Sequence, residues 1–273
     1  MSRFVLLREF PPDLDIEQVP DDDYINRPGS SLEQKPFRVR TDANGFILSG
    51  NEISGDCDHV IASGDSVCET LYIDEDKRIG SVLSRLLSRS SVHPIEVLNG
   101  GVSGNHLLHI INTMMNKVVP LHPSGVIFLG GVVDRIAAGS DMSYWSKSPE
   151  VCTIVQKRKG MPAPVGSLRR VIDFSDLRRL LGLLVEICAT FGIPLVFLTV
   201  PVPGSQAGEY CDLLRKSNDV IRTICVGKNL PFVELENLFG DSLAYTYDEV
   251  HLNEAGSALV AEAIFSSGIL KWK

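Results

Sequence analysis

Ser66 closes the triplet Gly64-Asp65-Ser66, and Asp248 lies three positions before His251. A serine hydroxyl is a weak nucleophile until a base takes its proton. An imidazole whose Nδ1–H is held by a carboxylate keeps Nε2 free for that work. These three residue types can therefore carry acyl transfer, provided the fold joins the two distant segments. Between them stand two glycine-rich stretches, residues 99–105 with glycines at 100, 101 and 104, and Gly130-Gly131 ahead of Asp134. Glycines allow close backbone approach, and free N–H groups there can meet a developing oxyanion. Each feature also has a plainer reading. Ser66 can be a helix N-cap with Asp65 in the turn, and His251 a capped, partly exposed histidine. The glycine spacing fits neither G-x-G-x-x-G nor G-x-x-x-x-G-K-[ST], so nucleotide binding has little support.

The elements that must position these residues follow from hydrophobic periodicity. Residues 59–63, 95–98, 125–129, 194–200 and 231–235 are short, nearly continuous apolar runs, as expected of strands buried on both faces. Helical patterns fill 78–90, 105–117, 168–191, 208–228 and 253–266, each with an apolar face such as Ile79, Val82, Leu83, Leu86 and Leu87. This alternation predicts an α/β fold, a five-stranded parallel sheet covered on both sides, with right-handed crossovers. A flavodoxin-like order 2-1-3-4-5 is expected, with the ligand beyond the carboxyl ends of the strands. Ser66, both glycine stretches and Asp248-x-x-His251 all follow strands or precede the last helix, which places them on that edge. Residues 1–57 differ: Pro11, Pro12, Pro20, Pro28 and Pro36 with few aliphatics predict an irregular arm, with one hairpin near Asn44-Gly45. Residues 58–273 form the expected domain.

Together these blocks resemble the SGNH (GDSL-like) hydrolase family over roughly residues 58 to 268. The resemblance implies a three-layer α/β/α sandwich and an acyl-ester hydrolase with Ser66 as nucleophile, His251 as base and Asp248 as its orienting acid. It maps the oxyanion-hole glycine onto Gly104. One block departs from the family. The family reads Gly-x-Asn-Asp, with the Asn amide donating to the oxyanion, whereas this chain has Gly131-Val132-Val133-Asp134. With that amide gone, backbone N–H groups of Ser66 and Gly104 are left to form the hole, and Asn105 is the side chain placed to help. The resemblance implies a carbohydrate O-acetyl esterase; an O-acyltransferase on a glycan and a non-catalytic glycan-binding module remain alternatives.

Composition narrows the partners. Twenty-six Lys plus Arg against thirty-four Asp plus Glu give a net charge of −8, which argues against a general nucleic-acid binder. The six cysteines are scattered without a C-x-x-C pair, and the six histidines show no metal-ligand spacing, so neither metal nor other cofactor is expected. The G-x-S-x-G elbow and H-E-x-x-H are absent. The apolar run near the start is too short for a signal peptide or a span, so a cytoplasmic protein without membrane contact is expected. A small-molecule or glycan ester is the expected partner. The long connection 139–167, with Tyr144, Trp145, Lys157-Arg158-Lys159, Pro162 and Pro164, reads as a flap or a solvated excursion, and 201–210 as the opposite wall. His93, His106, His109 and His122 read as surface or structural, with His106 held in reserve as a substrate contact.

Overall fold

Alternate residues of each apolar run face opposite ways, and that alternation builds the layers. The computed structural model describes residues 7–27, 30–51, 57–146, 151, 171–204 and 208–270. The strands are β1 (Asp15–Gln18), β2 (Phe37–Arg40), β3 (Asp58–Gly64), β4 (Ile95–Asn99), β5 (Gly125–Leu129), β6 (Leu195–Leu198) and β7 (Phe232–Val233). The α-helices are α1 (Asp22–Ile25), α2 (Ser66–Glu69), α3 (Ile79–Ser90), α4 (Leu107–Thr113), α5 (Asp134–Gly139), α6 (Ser175–Thr190), α7 (Glu209–Lys228) and α8 (Glu254–Ser266). Five parallel strands form one sheet in the order β4-β3-β5-β6-β7, which is the expected 2-1-3-4-5. Val60, Ala62, Val97, Ile127, Leu129, Val196 and Leu198 join the core that includes residues of α3 and α8. Ile61, Leu98, Val126, Phe128, Leu195 and Phe197 face the other core, with residues of α4 and α6. This period of two, buried on both faces, is what makes the runs read as continuously apolar.

Several elements are shorter than periodicity suggests. The run 194–200 leaves the sheet after Leu198, where the buried Asn218 side chain accepts from Val200 N–H and donates to Val200 C=O at 2.8 and 2.9 Å. The pattern over 105–117 divides into α4 and a wider turn over Met114–Val118, closed by a 3₁₀ turn containing Pro120. Helix α6 begins at Ser175, and residues 168–170 lie outside the described residues.

The amino-terminal region is more regular than its composition suggests. Strands β1 and β2 pair antiparallel, and Asp42 Oδ1 accepts from Asn44 and Phe46 N–H at 2.9 and 2.8 Å in the turn expected at Asn44-Gly45. Ile47 then exchanges two backbone hydrogen bonds with Asn99 at the end of β4. Phe46 and Ile47 are fully buried. A segment with too few aliphatics for its own core thus gains order by borrowing the sheet's edge and one of its cores.

Candidate active site

The position of Ser66 is created by a turn that only glycine permits. A Cβ on Gly64 would lie 1.8 Å from the Leu129 carbonyl oxygen, so β3 can pass β5 this closely only without a side chain. Asp65 caps α2, its Oδ1 accepting from Val67 N–H at 3.1 Å, while Oδ2 accepts from Val132 N–H at 3.0 Å. Burial raises the Asp65 carboxyl, against the pull of the N–H groups of Val67, Val132 and Val133. Asp65, not Ser66, is therefore the cap, and Ser66 is left at the first helical position with its hydroxyl free.

That hydroxyl meets the second segment. Ser66 Oγ lies 2.8 Å from His251 Nε2, and His251 Nδ1 lies 2.7 Å from Asp248 Oδ2. With the proton on Nδ1, Nε2 can accept from Ser66. Asp248 Oδ1 accepts from the N–H groups of Val250 and His251 at 3.0 and 2.8 Å, closing a tight turn just before α8. Asn253 caps α8 by accepting from Gly256 N–H at 3.0 Å. Burial alone would raise the Asp248 carboxyl; the hydrogen bond from His251, its charge and the two N–H groups outweigh that and hold it down at about 2. Asp248 is thus an ionised acceptor at any ordinary pH. The ring of His251 stacks on Tyr247 with centroids 5.4 Å apart.

The glycine loop after β4 lies beside Ser66. Gly104 adopts φ +76°, a left-handed conformation suited to glycine, and lines the same cavity as Ser66 and His251. Among the described residues neither the Ser66 N–H nor the Gly104 N–H has a backbone or side-chain acceptor, so both are available to an oxyanion. The loop is held to α2 from below. Asn99 Nδ2 donates to the carbonyls of Cys68 and Glu69 at 3.0 Å each, and its Oδ1 accepts from Gly101 N–H at 2.8 Å. The buried Glu69 carboxylate accepts from the Ser103 hydroxyl. Burial raises Glu69, and the Ser103 bonds pull against it.

Asn105 is placed differently from its neighbour. It is buried, its Oδ1 has no hydrogen-bond partner among the described residues, and it is not among the residues lining the cavity. Val132 and Val133 do line it, as an apolar wall where the family carries an amide. Asp134 turns inward, accepting from Leu107 N–H at 2.9 Å and from the Tyr144 hydroxyl at 2.5 Å. Burial pushes its carboxyl up to about 6, over the opposing pull of those two donors. Tyr144 is therefore a core residue and Trp145 an exposed one; Cys152, Lys157-Arg158-Lys159, Pro162 and Pro164 lie outside the described residues. His106 is fully buried, stacked on His109 at 3.7 Å with Nε2 3.3 Å from the Val151 carbonyl, and burial pushes it down to about 4. It is a neutral structural residue rather than a substrate contact.

A cavity of about 480 Å³ opens over Ser66 and His251. Some of its lining carries no motif. Arg27, from the amino-terminal region, donates to Asp248 Oδ2 at 2.9 Å and covers the Tyr24 ring at 3.9 Å. Arg8, which is not part of the lining, donates to Ser103 C=O at 2.8 Å beside Gly104. Arg135 and Tyr210 form the far wall. One trio among the described residues could hold a metal ion: Cys57, His59 and Glu96, whose ligand atoms lie within 4.8 Å of one another. Cys57 and His59 share a face by strand periodicity and Glu96 is the register partner of His59, at the amino end of the sheet, opposite Ser66. Cross-strand pairing of this kind escapes a search for linear spacing.

The fold, the turn after β3 and the histidine before the last helix define an α/β/α hydrolase of the SGNH class. The chain belongs to the GDSL-like lipase/acylhydrolase family, which matches residues 62–259, and it is an ester hydrolase. An acetyl xylan esterase, AlAXEase, superposes with a TM-score of 0.57 at 18% identity, covering 77% of this chain and 98% of its own. An acetylxylan esterase from Geobacillus stearothermophilus gives 0.57 at 17%, covering 80% and 97%. A lipase/acylhydrolase from Enterococcus faecalis gives 0.55 at 16%, covering 79% and 98%. At these identities the likeness is one of fold. No curated protein matches the chain. No helix among the described residues is long and apolar enough to cross a membrane.

Proposed function

We propose that the chain is a serine-dependent esterase that removes acetyl groups from carbohydrate hydroxyls through an acyl-Ser66 intermediate. The observation that carries this reading is the unbroken relay from Ser66 Oγ through His251 to Asp248, at 2.8 and 2.7 Å, on the floor of an open cavity. In the first half-reaction Ser66 Oγ attacks the ester carbonyl carbon as its proton passes to His251 Nε2. The N–H groups of Ser66 and Gly104 receive the oxyanion. Collapse breaks the bond to the sugar oxygen, which leaves with the proton from His251. Water then gives a proton to Nε2 and attacks the acyl carbon, and collapse returns that proton to Ser66 Oγ and releases acetate. Asp248 remains ionised throughout and stabilises the imidazolium. Acetyl as the acyl group is supported by the acetylxylan esterases that share the fold, and a sugar as the alcohol by the same relatives.

A fluorophosphonate probe should label the wild type and not Ser66→Ala, with the melting temperature preserved. Hydrolysis of a short acetyl ester should fall by at least about 10³-fold in that variant. Labelling that persists without Ser66 would move the nucleophile elsewhere. Acetate as sole product, with and without a sugar acceptor, distinguishes hydrolysis from transfer, and wild type that neither labels nor turns over would favour a binding module.

A further inference from the structure

Arg135 is a cation of the cavity that makes no ion pair among the described residues. It lines the same space as Ser66 and His251, and its guanidinium covers the Tyr210 ring at 4.2 Å. The stack occupies a face of the guanidinium and leaves its hydrogen-bonding edges. Its Nε is buried and has no hydrogen-bond partner among the described residues. Other charged groups line the cavity, but they are differently engaged. Arg27 is spent on Asp248, and Asp248 on Arg27 and His251. Glu249 is exposed and makes no ion pair with Arg135 among the described residues. A half-buried donor without a partner is costly, and ordinary surface arginines avoid it by reaching water. The buried Nε is closed to a ligand, so an anion carried by the substrate would meet the terminal nitrogens of the guanidinium.

We infer that Arg135 is a specificity-determining residue that binds an anionic substituent of the substrate, so that the ester this cavity takes is borne by an acidic sugar. This rests on the esterase reading above and names its substrate class. A carboxylate matches the planar fork of a guanidinium with two parallel hydrogen bonds, and a phosphate or sulfate oxygen pair does the same. The chain's net charge of −8 repels such a substrate at long range, so the attraction must be local. Tyr210 and Val133 supply aromatic and apolar surface beside Arg135 for the sugar ring.

The test compares an acetylated methyl glucuronoside with the matching acetylated methyl glucoside. Wild type should favour the uronate in kcat/KM by at least about tenfold, and Arg135→Gln should bring the ratio to about one. Arg135→Lys, a point charge without the fork, should keep part of the preference. Binding to Ser66→Ala supplies an arm that needs no turnover: unacetylated methyl glucuronoside should bind more tightly than methyl glucoside, and adding Arg135→Gln should abolish the difference. Inorganic phosphate is the third ligand; Arg135-dependent binding of phosphate without uronate keeps the anion site and assigns it to a phosphorylated sugar. Equal treatment of charged and neutral sugars by the Arg135 protein, or a preference that survives Arg135→Gln, overturns the inference. Arg135-dependent anion binding without any ester cleavage would instead overturn the esterase reading and keep only the anion site at Arg135, without an ester substrate.

Discussion

The sheet edge and the amino-terminal region both reach the cavity, but they do so by different means. The edge supplies Ser66, Gly104 and the turn before α8, each within a few residues of a strand or helix end whose position the topology dictates. The amino-terminal region supplies Arg8, Tyr24 and Arg27, which act on residues already placed by the edge: Arg8 on the Ser103 carbonyl, Arg27 on the Asp248 carboxylate, Tyr24 against the His251 ring at 6.0 Å. In the proposed mechanism the first region carries the groups that react, and the second sets how they are held. Chemistry at a parallel sheet's carboxyl edge can thus be built by short-range geometry and then adjusted from a segment with no core of its own.

Substitutions on the two sides should differ in size accordingly. Asp248→Asn removes the charge that orients and stabilises the imidazolium, and should lower kcat by about 10³–10⁴-fold with binding of an unreactive sugar little changed. A loss below about tenfold would mean the aspartate is mainly a turn former. Arg27→Ala should cost less, about three- to tenfold in kcat/KM, because Asp248 keeps two backbone donors and His251 after Arg27 is gone. If Arg27→Ala matched Asp248→Asn, the amino-terminal region would belong to the reacting machinery and the contrast between the regions would fail.

The smallest expected effect lies beneath the edge and concerns stability rather than rate. Burial raises the Asp134 carboxyl from 3.8 to about 6 in the folded state, so folding favours its protonated form. A raised carboxyl binds more protons folded than unfolded, so stability from this group is greatest below its unfolded value and declines as pH rises through about 6. Asp134→Asn keeps an oxygen for Leu107 and Tyr144 without titrating. Its melting temperature relative to wild type should therefore climb between pH of about 4 and about 7 and level off above. A difference that is flat or falls over that range would show that Asp134 is ionised in the native protein.

The glycine-bearing turns, the serine, the histidine–aspartate pair and the parallel sheet were legible in sequence because each depends on local rules. Period-two burial, N-capping and glycine's freedom act over a few residues, and right-handed crossovers leave only a few strand orders, of which 2-1-3-4-5 is the one formed. Asn105 shows where such rules end: adjacency to Gly104 places it next to the cavity in sequence, but the turn aims it inward, out of the lining. Glu69 under Ser103, Arg135 over Tyr210 and the Cys57, His59 and Glu96 trio have no linear signature either. Arg27 and Asp248 are 221 positions apart, and nothing near either residue announces the other. Sequence alone determined which residues stand at the ends of strands, and hence which could react. Tertiary structure decided which side chains hold those residues, which point into the cavity and which charge is left unanswered, because those outcomes depend on packing between segments that no local periodicity connects.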